Sequence, residues 1–279
     1  MRDLTGKIAV ITGAASGIGL ALARRAAQEG MLLLLADIEG DKLKAAAATL
    51  EVPTERLLLD TLDVSCDAEI ARMAEMAFRR FGKVHLLCNN AGVGLSRVAW
   101  EHSLQDWEWV LNVNLWSVIH GVRHFLPRML AQNEAGHIVN TASVAGLLST
   151  PGMAAYNVSK HGVVTLSETL FAELAAMNSE IGVSVLCPAW VPTAIHESAR
   201  NRPEHFQAES EVSELSKTYE DRMSQAVTSG RMTAEDMANA VFDAIAEKRF
   251  YVIPHRKINQ AIQLRMEDVM MQRNPTPLG

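Results

Sequence analysis

The segment KIAVITGAASGIG, residues 7–19, joins a short apolar run to the start of an amphipathic one. KIAVIT is rich in β-branched residues, which is typical of a buried strand. The residues after Gly17 have the apolar spacing of a helix, and Gly30 is expected to end that helix. Glycines at such a junction let the backbone approach a phosphate group, and the start of the helix offers free N–H groups to it. The segment therefore predicts the first strand and helix of a nucleotide-binding α/β protein.

The same alternation of apolar runs and helix-length segments continues along the chain. Strands are predicted in the segments KIAVITG, MLLLLAD, ERLLLDTLDV, KVHLLCNNAG, GHIVNTAS, GVSVLCPAWV and RFYVIP. Helices lie between them, including long ones over about 105–131, 154–178 and 234–248. Near-continuous apolar strands separated by helices predict a doubly wound, Rossmann-like parallel sheet of about seven strands with helices on both faces.

The chain is expected to form a single domain followed by a tail. No linker, internal repeat or low-complexity segment interrupts the pattern before residue 194. We therefore expect one dinucleotide-binding and catalytic domain over residues 1–254. The polar stretch at 194–230 is predicted to be a helical lid over the substrate, because such segments can close and exclude water. Residues 255–279 are predicted to be a C-terminal tail that packs on its own domain or on a neighbouring subunit.

Composition and charge exclude several classes of protein. The 279 residues are 48% hydrophobic and carry a net charge of −6, which is an ordinary globular composition without the basic surface that nucleic acid requires. Cys66, Cys88 and Cys187 are scattered, so neither a disulfide framework nor a metal site is expected. The N-terminus carries no secretory pattern, and no apolar run is long enough for a membrane helix. These features predict a cytoplasmic protein.

Acidic residues close two of the predicted strands. Asp37 ends the second strand, where a carboxylate can accept hydrogen bonds from the hydroxyls of an adenosine ribose and repels a 2′-phosphate. Residues 14–16 contain no Arg or Lys, and Ile38 follows the acid, so the pattern favours NAD over NADP. The alternative is a surface carboxylate that caps the next helix. Asp63 ends the third strand and either faces the adenine or caps the helix that begins near Asp67.

Six motifs occur in an order and spacing that resembles the short-chain dehydrogenase/reductase family, of the single-domain NAD(P)(H)-dependent type. They are TGAASGIG at 12–19, Asp63-Val64, NNAG at 89–92, Asn114, Ser143 and YNVSK at 156–160. The resemblance covers residues 5–193 well and 233–254 more loosely. It implies that NAD contacts Gly13, Ser16, Gly17, Ile18, Gly19, Asp37, Asp63, Val64, Asn90, Ala91, Gly92, Tyr156, Lys160, Val191 and Thr193. It also implies a catalytic tetrad of Asn114, Ser143, Tyr156 and Lys160.

The turn after the sixth predicted strand departs from the family pattern. Family members usually carry a Pro-Gly pair after the sixth strand, and this chain has Pro188-Ala189, followed by Trp190. Ala189 therefore tests whether that turn needs a positive φ, which glycine adopts far more readily than alanine.

The spacing of Tyr156 and Lys160 predicts a proton-transfer pair. Residues four apart in a helix lie on the same face, so the phenol and the ammonium project together. A free tyrosine has a pKa of about 10, and Lys160 is expected to lower that pKa so that Tyr156 acts as general acid and base. Ser143, at the end of the fifth strand, is expected to orient the substrate oxygen. Lys160 is also expected to bond the nicotinamide ribose. Asn114 is expected to hold a proton-relay water, either by its side-chain amide or by a bent backbone at that position.

These observations favour an NAD-dependent oxidoreductase that transfers a hydride between nicotinamide and a small-molecule secondary alcohol or ketone. The alternative is a non-catalytic NAD-binding regulatory protein on the same fold. No nucleic-acid or membrane partner is expected. The long helices at about 105–131 and 154–178 commonly pair between subunits in this family, so the resemblance implies a homo-oligomer, either a dimer or a tetramer.

Overall fold

The centre of the molecule is one parallel β-sheet. The computed structural model describes residues 1–206 and 212–277. Within these residues the strands are β1 (Ile8–Thr12), β2 (Leu32–Asp37), β3 (Leu57–Thr61), β4 (Leu86–Asn89), β5 (Gly136–Thr141), β6 (Ile181–Leu186) and β7 (Tyr251–Val252). They lie side by side in the order β3-β2-β1-β4-β5-β6-β7, and every neighbouring pair is parallel. The predicted doubly wound sheet is confirmed.

Helices cover both faces of this sheet. They are α1 (Gly17–Gln28), α2 (Gly40–Ala48), α3 (Asp67–Phe81), α4 (Leu104–Leu111), α5 (Ser117–Ala131), α6 (Ala154–Ala176), α7 (Glu214–Thr228), α8 (Ala234–Glu247) and α9 (Asn259–Met270). Alternate residues of β2 point to opposite faces, because side chains alternate along a strand. Leu33 and Leu35 pack in a cluster with residues of α1 and α8, and Leu34 packs in a cluster with residues of α3, α5 and α6. Both faces are therefore apolar core, which explains why the strands are continuously hydrophobic in sequence.

Two predicted elements have different boundaries in the structure. The third strand ends at Thr61 rather than at Val64, because the chain turns at Asp63, whose Oδ1 accepts hydrogen bonds from the Ser65 N–H at 2.9 Å and hydroxyl at 2.7 Å. The helix predicted at 105–131 is divided, since α4 and α5 are joined by a π-helical turn over Asn112–Trp116.

The predicted lid contains short 3₁₀ segments and one α-helix. Ala194–Asn201 and Glu204–Phe206 are 3₁₀ turns, and α7 follows. We call residues 194–206 the roof segment. Residues 207–211 of the predicted lid lie outside the described residues. In the tail, a 3₁₀ turn at Arg256–Ile258 precedes α9. No described helix combines the length and the apolar character that crossing a membrane requires.

Candidate active site

A pocket opens at the carboxyl ends of the strands, which is the edge where open α/β sheets bind ligands. It is lined by every residue that the sequence predicted for the site except Asn114. These are Gly13, Ser16, Gly17, Ile18, Gly19, Asp37, Asp63, Val64, Asn90, Ala91, Gly92, Ser143, Tyr156, Lys160, Val191 and Thr193. The fold thus brings together motifs that are up to 180 residues apart in the chain.

The glycine turn between β1 and α1 is packed too closely for side chains. Gly13 has a φ of +68°, and a Cβ there would lie 2.9 Å from Ala91 Cα. A Cβ on Gly19 would lie 2.0 Å from the Gly13 carbonyl oxygen. The first turn of α1 contains no acidic residue, and the Ser16 side chain makes no capping hydrogen bond. The N–H groups at the start of α1 therefore remain available to an anion such as a pyrophosphate.

Asp37 is buried beneath this turn. Its Oδ2 accepts a hydrogen bond from the Ala15 N–H at 2.9 Å, and its Oδ1 accepts one from the Glu39 N–H at 3.0 Å. It does not cap α2, whose N-cap residue is Glu39. Asp63 does not cap α3 either, because the N-cap residue of that helix is Cys66. Both carboxylates line the pocket instead, so the capping alternatives are wrong.

A polar brace joins the ends of the central strands. The Thr12 hydroxyl accepts hydrogen bonds from the N–H groups of Asn90 at 3.0 Å and Ala91 at 3.1 Å. The Asn90 side chain donates to the Thr12 carbonyl at 3.0 Å and accepts from the Thr141 hydroxyl at 3.2 Å. Thr12 and Thr141 were not predicted from sequence. The available signal was their position, since Thr12 directly precedes Gly13 and Thr141 ends β5.

Ser143 and Tyr156 face each other at the bottom of the pocket. The Ser143 hydroxyl accepts a hydrogen bond from the Ala145 N–H at 3.1 Å and lies 3.3 Å from the Pro188 carbonyl oxygen, to which it donates. The same side chain interacts with the Tyr156 phenol and acts to lower its pKa. Each residue is only 8% exposed. A substrate oxygen that reached this point would therefore meet two hydroxyl groups together.

Lys160 extends from the same face of α6 as Tyr156. Its Nζ lies 5.6 Å from the centroid of the Tyr156 ring and donates a hydrogen bond to the Thr141 carbonyl at 2.9 Å. Gly92 lies beside it, and a Cβ at Gly92 would lie 3.2 Å from Oδ1 of Asn114. The ammonium is thus held by the end of β5 beside the phenol.

The expected effect of Lys160 on Tyr156 is wrong for the protein without cofactor. Burial raises the pKa of Tyr156 to about 12, although the hydrogen bond with Ser143 acts in the opposite direction. Burial also lowers the pKa of Lys160 to about 8. The physical reason is desolvation, which disfavours the charged form of both groups. The sequence spacing gave the proximity of the two side chains but not the cost of burying them.

Asn114 lies behind the pocket rather than in its wall. It is fully buried in the π-helical turn, and its Oδ1 accepts a hydrogen bond from the Val93 N–H at 2.8 Å. Its Nδ2 donates to the Val93 carbonyl at 2.9 Å and to the Ser159 hydroxyl at 3.2 Å. The amide therefore ties the loop after β4 to α6. Single-turn π-helices are frequent at functional sites.

A family model described as short chain dehydrogenase matches residues 7–204 of this chain. That range is more than two thirds of the sequence and contains the glycine turn, Asn114, Ser143, Tyr156 and Lys160.

The chain belongs to the short-chain dehydrogenase/reductase family.

Members of this family resemble the chain over most of their length. The CLA biosynthesis dehydrogenase/reductase of Lactiplantibacillus plantarum is 32% identical over 278 residues, which cover 99% of this chain and 97% of the relative. The 1-deoxy-11-beta-hydroxypentalenate dehydrogenase of Streptomyces arenae is 33% identical over 267 residues, covering 94% and 87%. A short chain dehydrogenase/reductase from Burkholderia phymatum, crystallised in complex with NAD, has 48% identity and a TM-score of 0.97 over 100% of both chains. This protein is accordingly an oxidoreductase of that family.

The turn after β6 differs from the usual family pattern without strain. Ala189 is not among the residues with positive φ, so the turn does not need the glycine that short-chain dehydrogenases usually have there. Its N–H donates to Nδ1 of His255, a residue of the tail, at 3.1 Å. Trp190 is 38% exposed and lines the pocket. Sequence reasoning missed His255, since nothing in the primary structure links it to residue 189.

The roof segment of this short-chain dehydrogenase is fastened by ion pairs. The Arg200 guanidinium contacts the Glu39 carboxylate at 2.9 Å and 3.3 Å, and this contact lowers the pKa of Glu39 to about 2. Arg202 lies 2.6 Å from Asp106, which also contacts Arg97 at 3.2 Å. Asp106 is fully buried. One pair joins the roof segment to the end of β2, and the other joins it to α4.

The end of the pocket around the phenol is apolar. Tyr156 packs in a cluster whose other pocket-lining members are Ala145, Met153, Ile195, Met223 and Val227. Met223 and Val227 belong to α7, so the predicted lid supplies part of this wall. Among the described lining residues, the charged side chains are Asp37, Glu39, Asp63, Lys160 and Arg200. Asp37 and Glu39 lie at the end of β2, Asp63 follows β3, and Arg200 pairs with Glu39.

Proposed function

We propose that this protein is an NAD-dependent oxidoreductase that transfers a hydride between nicotinamide and a secondary alcohol or ketone. The observation that carries the proposal is the convergence of Ser143, Tyr156 and Lys160 on one pocket whose other end is the glycine turn. A glycine turn alone fits many nucleotides. A phenol, a hydroxyl and an ammonium grouped beside it supply the acid–base chemistry that a hydride transfer at carbon requires.

The residues of the pocket fit NAD. Gly13 and Gly19 leave the space that a pyrophosphate needs, and the first turn of α1 carries no opposing negative charge. Asp37 and Asp63 would hold the adenosine of NAD. The cofactor would then pass beside Asn90, Ala91 and Gly92, and its nicotinamide would contact Val191 and Thr193. The 2′-phosphate of NADP would meet Asp37, and the Arg200 guanidinium nearby is already paired with Glu39. NAD is therefore the cofactor that we assign.

Tyr156 is proposed as the general acid and base. When bound, NAD supplies the hydride acceptor or donor, and its oxidised form adds positive charge to the site. Positive charge favours a phenolate, so the pKa of Tyr156 would fall from about 12, the value that burial gives it in the protein alone. Lys160 contributes to that charge and would also bond the ribose. In the reducing direction, the protonated phenol donates its proton to the oxygen of the substrate as the carbonyl becomes an alcohol.

Ser143 and Asn114 are proposed to support this transfer. The Ser143 hydroxyl would orient the substrate oxygen next to the phenol. The side-chain amide of Asn114 is occupied by Val93 and Ser159, so a relay water would be held by its backbone carbonyl in the π-helical turn. The water would connect Lys160 to solvent. Of the two alternatives for Asn114, the bent backbone is therefore the one that we propose.

The substrate is proposed to be a largely apolar, uncharged molecule at the reacting end. Ala145, Met153, Met223 and Val227 surround the phenol, and a charged group there would lose its hydration without an ionic partner. The relative from Streptomyces arenae is named for a hydroxylated substrate, which agrees with oxidation of a CH–OH group. α7 and the roof segment would act as the lid over this molecule.

The test is an absorbance assay for reduced nicotinamide with a panel of secondary alcohols, neutral and carboxylate-bearing. Wild type is compared with Tyr156→Phe, and Tyr251→Phe serves as a control because Tyr251 is 44% exposed and does not line the pocket. Tyr156→Phe is expected to lose about 10³-fold in kcat/KM, within the range of general acid–base catalysis. Affinity for NADH, measured by fluorescence, should remain.

Two results would reject the proposal. Equal turnover by wild type and Tyr156→Phe would remove the phenol from the mechanism. Tight NADH binding without turnover of any alcohol or ketone would favour the non-catalytic regulatory protein.

A further inference from the structure

The turn after β6, residues 188–193, forms the wall of the pocket next to Ser143. Its first carbonyl, that of Pro188, accepts hydrogen bonds from the Val144 N–H at 2.9 Å and from the Ser143 hydroxyl at 3.3 Å. The position of this turn and the orientation of Ser143 are therefore linked. Any displacement of Pro188 would move the hydroxyl that is proposed to hold the substrate oxygen.

The next residue of the turn is held from the other side. The Ala189 N–H donates to Nδ1 of His255 at 3.1 Å. His255 follows β7 closely, and β7 is fixed beside β6 because the Cys187 N–H donates to the Val252 carbonyl at 2.9 Å. The imidazole thus reaches the turn from a rigid position. The hydrogen bond connects the first residue of the C-terminal tail to the catalytic pocket.

The hydrogen bond also fixes the protonation state of the imidazole. Nδ1 can accept a hydrogen bond only when it carries no proton, so His255 is neutral with its proton on Nε2. Burial lowers the pKa of His255 below its usual value, while contact with the Trp190 backbone and the charge of Asp236 on α8 act in the opposite direction. Because burial lowers the pKa, the neutral form predominates at pH 7, and the imidazole gains its second proton at a lower pH than an ordinary histidine.

We propose that His255 is a positioning residue for the reaction, which holds the turn at residues 188–193 against Ser143 through the Ala189 N–H. The proposal rests on the proposed function for its effect on turnover. His255 does not touch the reacting atoms. Ala189 has no positive φ, so this turn is not held in a conformation that only glycine adopts. The hydrogen bond to His255 helps to hold the turn instead. The C-terminal tail therefore contributes to the geometry of the catalytic pocket.

The experiment compares His255→Ala, His255→Asn and the control Arg256→Ala, whose side chain is exposed at the next position. Asparagine offers an Oδ1 acceptor near the place of Nδ1 and does not titrate. kcat and KM for the best alcohol, NADH affinity by fluorescence and the melting temperature are measured from about pH 7.5 to about pH 5, across the range where a histidine titrates.

His255→Ala is expected to lower kcat/KM about tenfold at about pH 7.5, because a partly buried N–H that loses its acceptor costs about that factor. His255→Asn should stay within about twofold of wild type there. As the pH falls, the ratio of His255→Asn to wild type in kcat/KM should rise, since only the imidazole loses its acceptor. Arg256→Ala should resemble wild type throughout.

Several outcomes would overturn the proposal. One is wild-type kinetics and NADH affinity in His255→Ala. Another is a loss in His255→Asn as large as that in His255→Ala, or an Asn-to-wild-type ratio that does not change with pH.

If wild type turns over no alcohol while His255→Ala alone weakens NADH binding, the proposed reaction fails and the positioning of the turn is supported.

Discussion

The floor, made of the proposed catalytic residues, and the roof segment of the same pocket are built by different interactions. We define the floor as Asn114, Ser143, Tyr156 and Lys160, all at most 8% exposed and all held by hydrogen bonds to backbone or neighbouring hydroxyl groups. The roof segment is held by Arg200 on Glu39 and Arg202 on Asp106. The roof segment is thus attached by ion pairs between residues far apart in sequence, since Arg200 and Glu39 are 161 positions apart.

This contrast distinguishes the residues that are proposed for the reaction from the residues that cover the pocket. A change in the floor removes a group that is proposed to react or to support the reacting group. A change in the roof segment leaves those groups in place and alters how firmly the pocket is covered. The two kinds of variant should therefore differ in whether kcat, stability or cofactor affinity changes most.

Lys160→Gln is expected to have the largest effect on the floor. The loss in kcat/KM should be about 10³-fold, or about 4 kcal/mol in activation free energy. Burial lowers the pKa of Lys160 to about 8, so its charged form costs free energy below that pH. Removing it should therefore leave the denaturation midpoint unchanged or higher at pH 7. Steady-state kinetics and urea denaturation, with exposed Lys44→Gln as control, check this; a stability loss that matches the activity loss would contradict it.

Asp106→Asn is expected to be the most destabilising change in the attachment of the roof segment. It leaves Arg97 and Arg202 without their shared carboxylate in a fully buried position. Removing one partner from a buried ion pair costs about 3 kcal/mol of unfolding free energy. Chemical denaturation measures this against Asp243→Asn, an exposed carboxylate on α8. If the two variants unfold at the same urea concentration, the ion pairs do not hold the roof segment.

Asp37→Ser examines the part of the pocket that is proposed to hold the adenosine of the cofactor. The ratio of kcat/KM with NADP to that with NAD should rise about 10- to 100-fold, because the repulsion of the 2′-phosphate is removed. Part of the NAD activity should also fall, since the Ala15 N–H loses its acceptor. Asp41→Ser is the control, as its side chain is fully exposed. An unchanged ratio would mean that Asp37 does not face the ribose.

Glu39→Gln should have the smallest effect. The Arg200 contact becomes weaker, and NADH is expected to dissociate about twofold to threefold faster, as for a partly exposed ion pair. The pKa of Glu39 is lowered to about 2, so the carboxylate is ionised at every pH above about 5 and its contribution should be constant there. It would be lost only as the pH falls toward 2. Stopped-flow fluorescence at low and high salt measures the rate; a salt-independent difference would show that charge is not the cause.

The sequence predicted the parts of this site that depend on local spacing. The alternation of strands and helices gave the sheet, and β2 is a run of leucines because both of its faces are core. The four-residue spacing of Tyr156 and Lys160 put both side chains on one face of α6. These features depend on a few adjacent residues, because the helix and strand periods determine which side chains share a face.

Other features arise only when distant residues meet. The π-helical turn around Asn114 interrupts a segment whose sequence is that of an ordinary helix, and it coincides with the hydrogen bonds to Val93. The brace of Thr12, Asn90 and Thr141 joins three strands. The attachments of Arg200 and His255 have no local pattern that could reveal them.

By itself, the sequence determined the doubly wound fold, the glycine turn and the identity of the tyrosine–lysine pair, because helix and strand periods and glycine geometry act over short stretches of chain. The tertiary structure decided the direction of the Tyr156 pKa, the role of the Asn114 amide and the closure of the pocket. Burial and ion pairing depend on which surfaces are brought together, and that is settled only after the whole chain has folded.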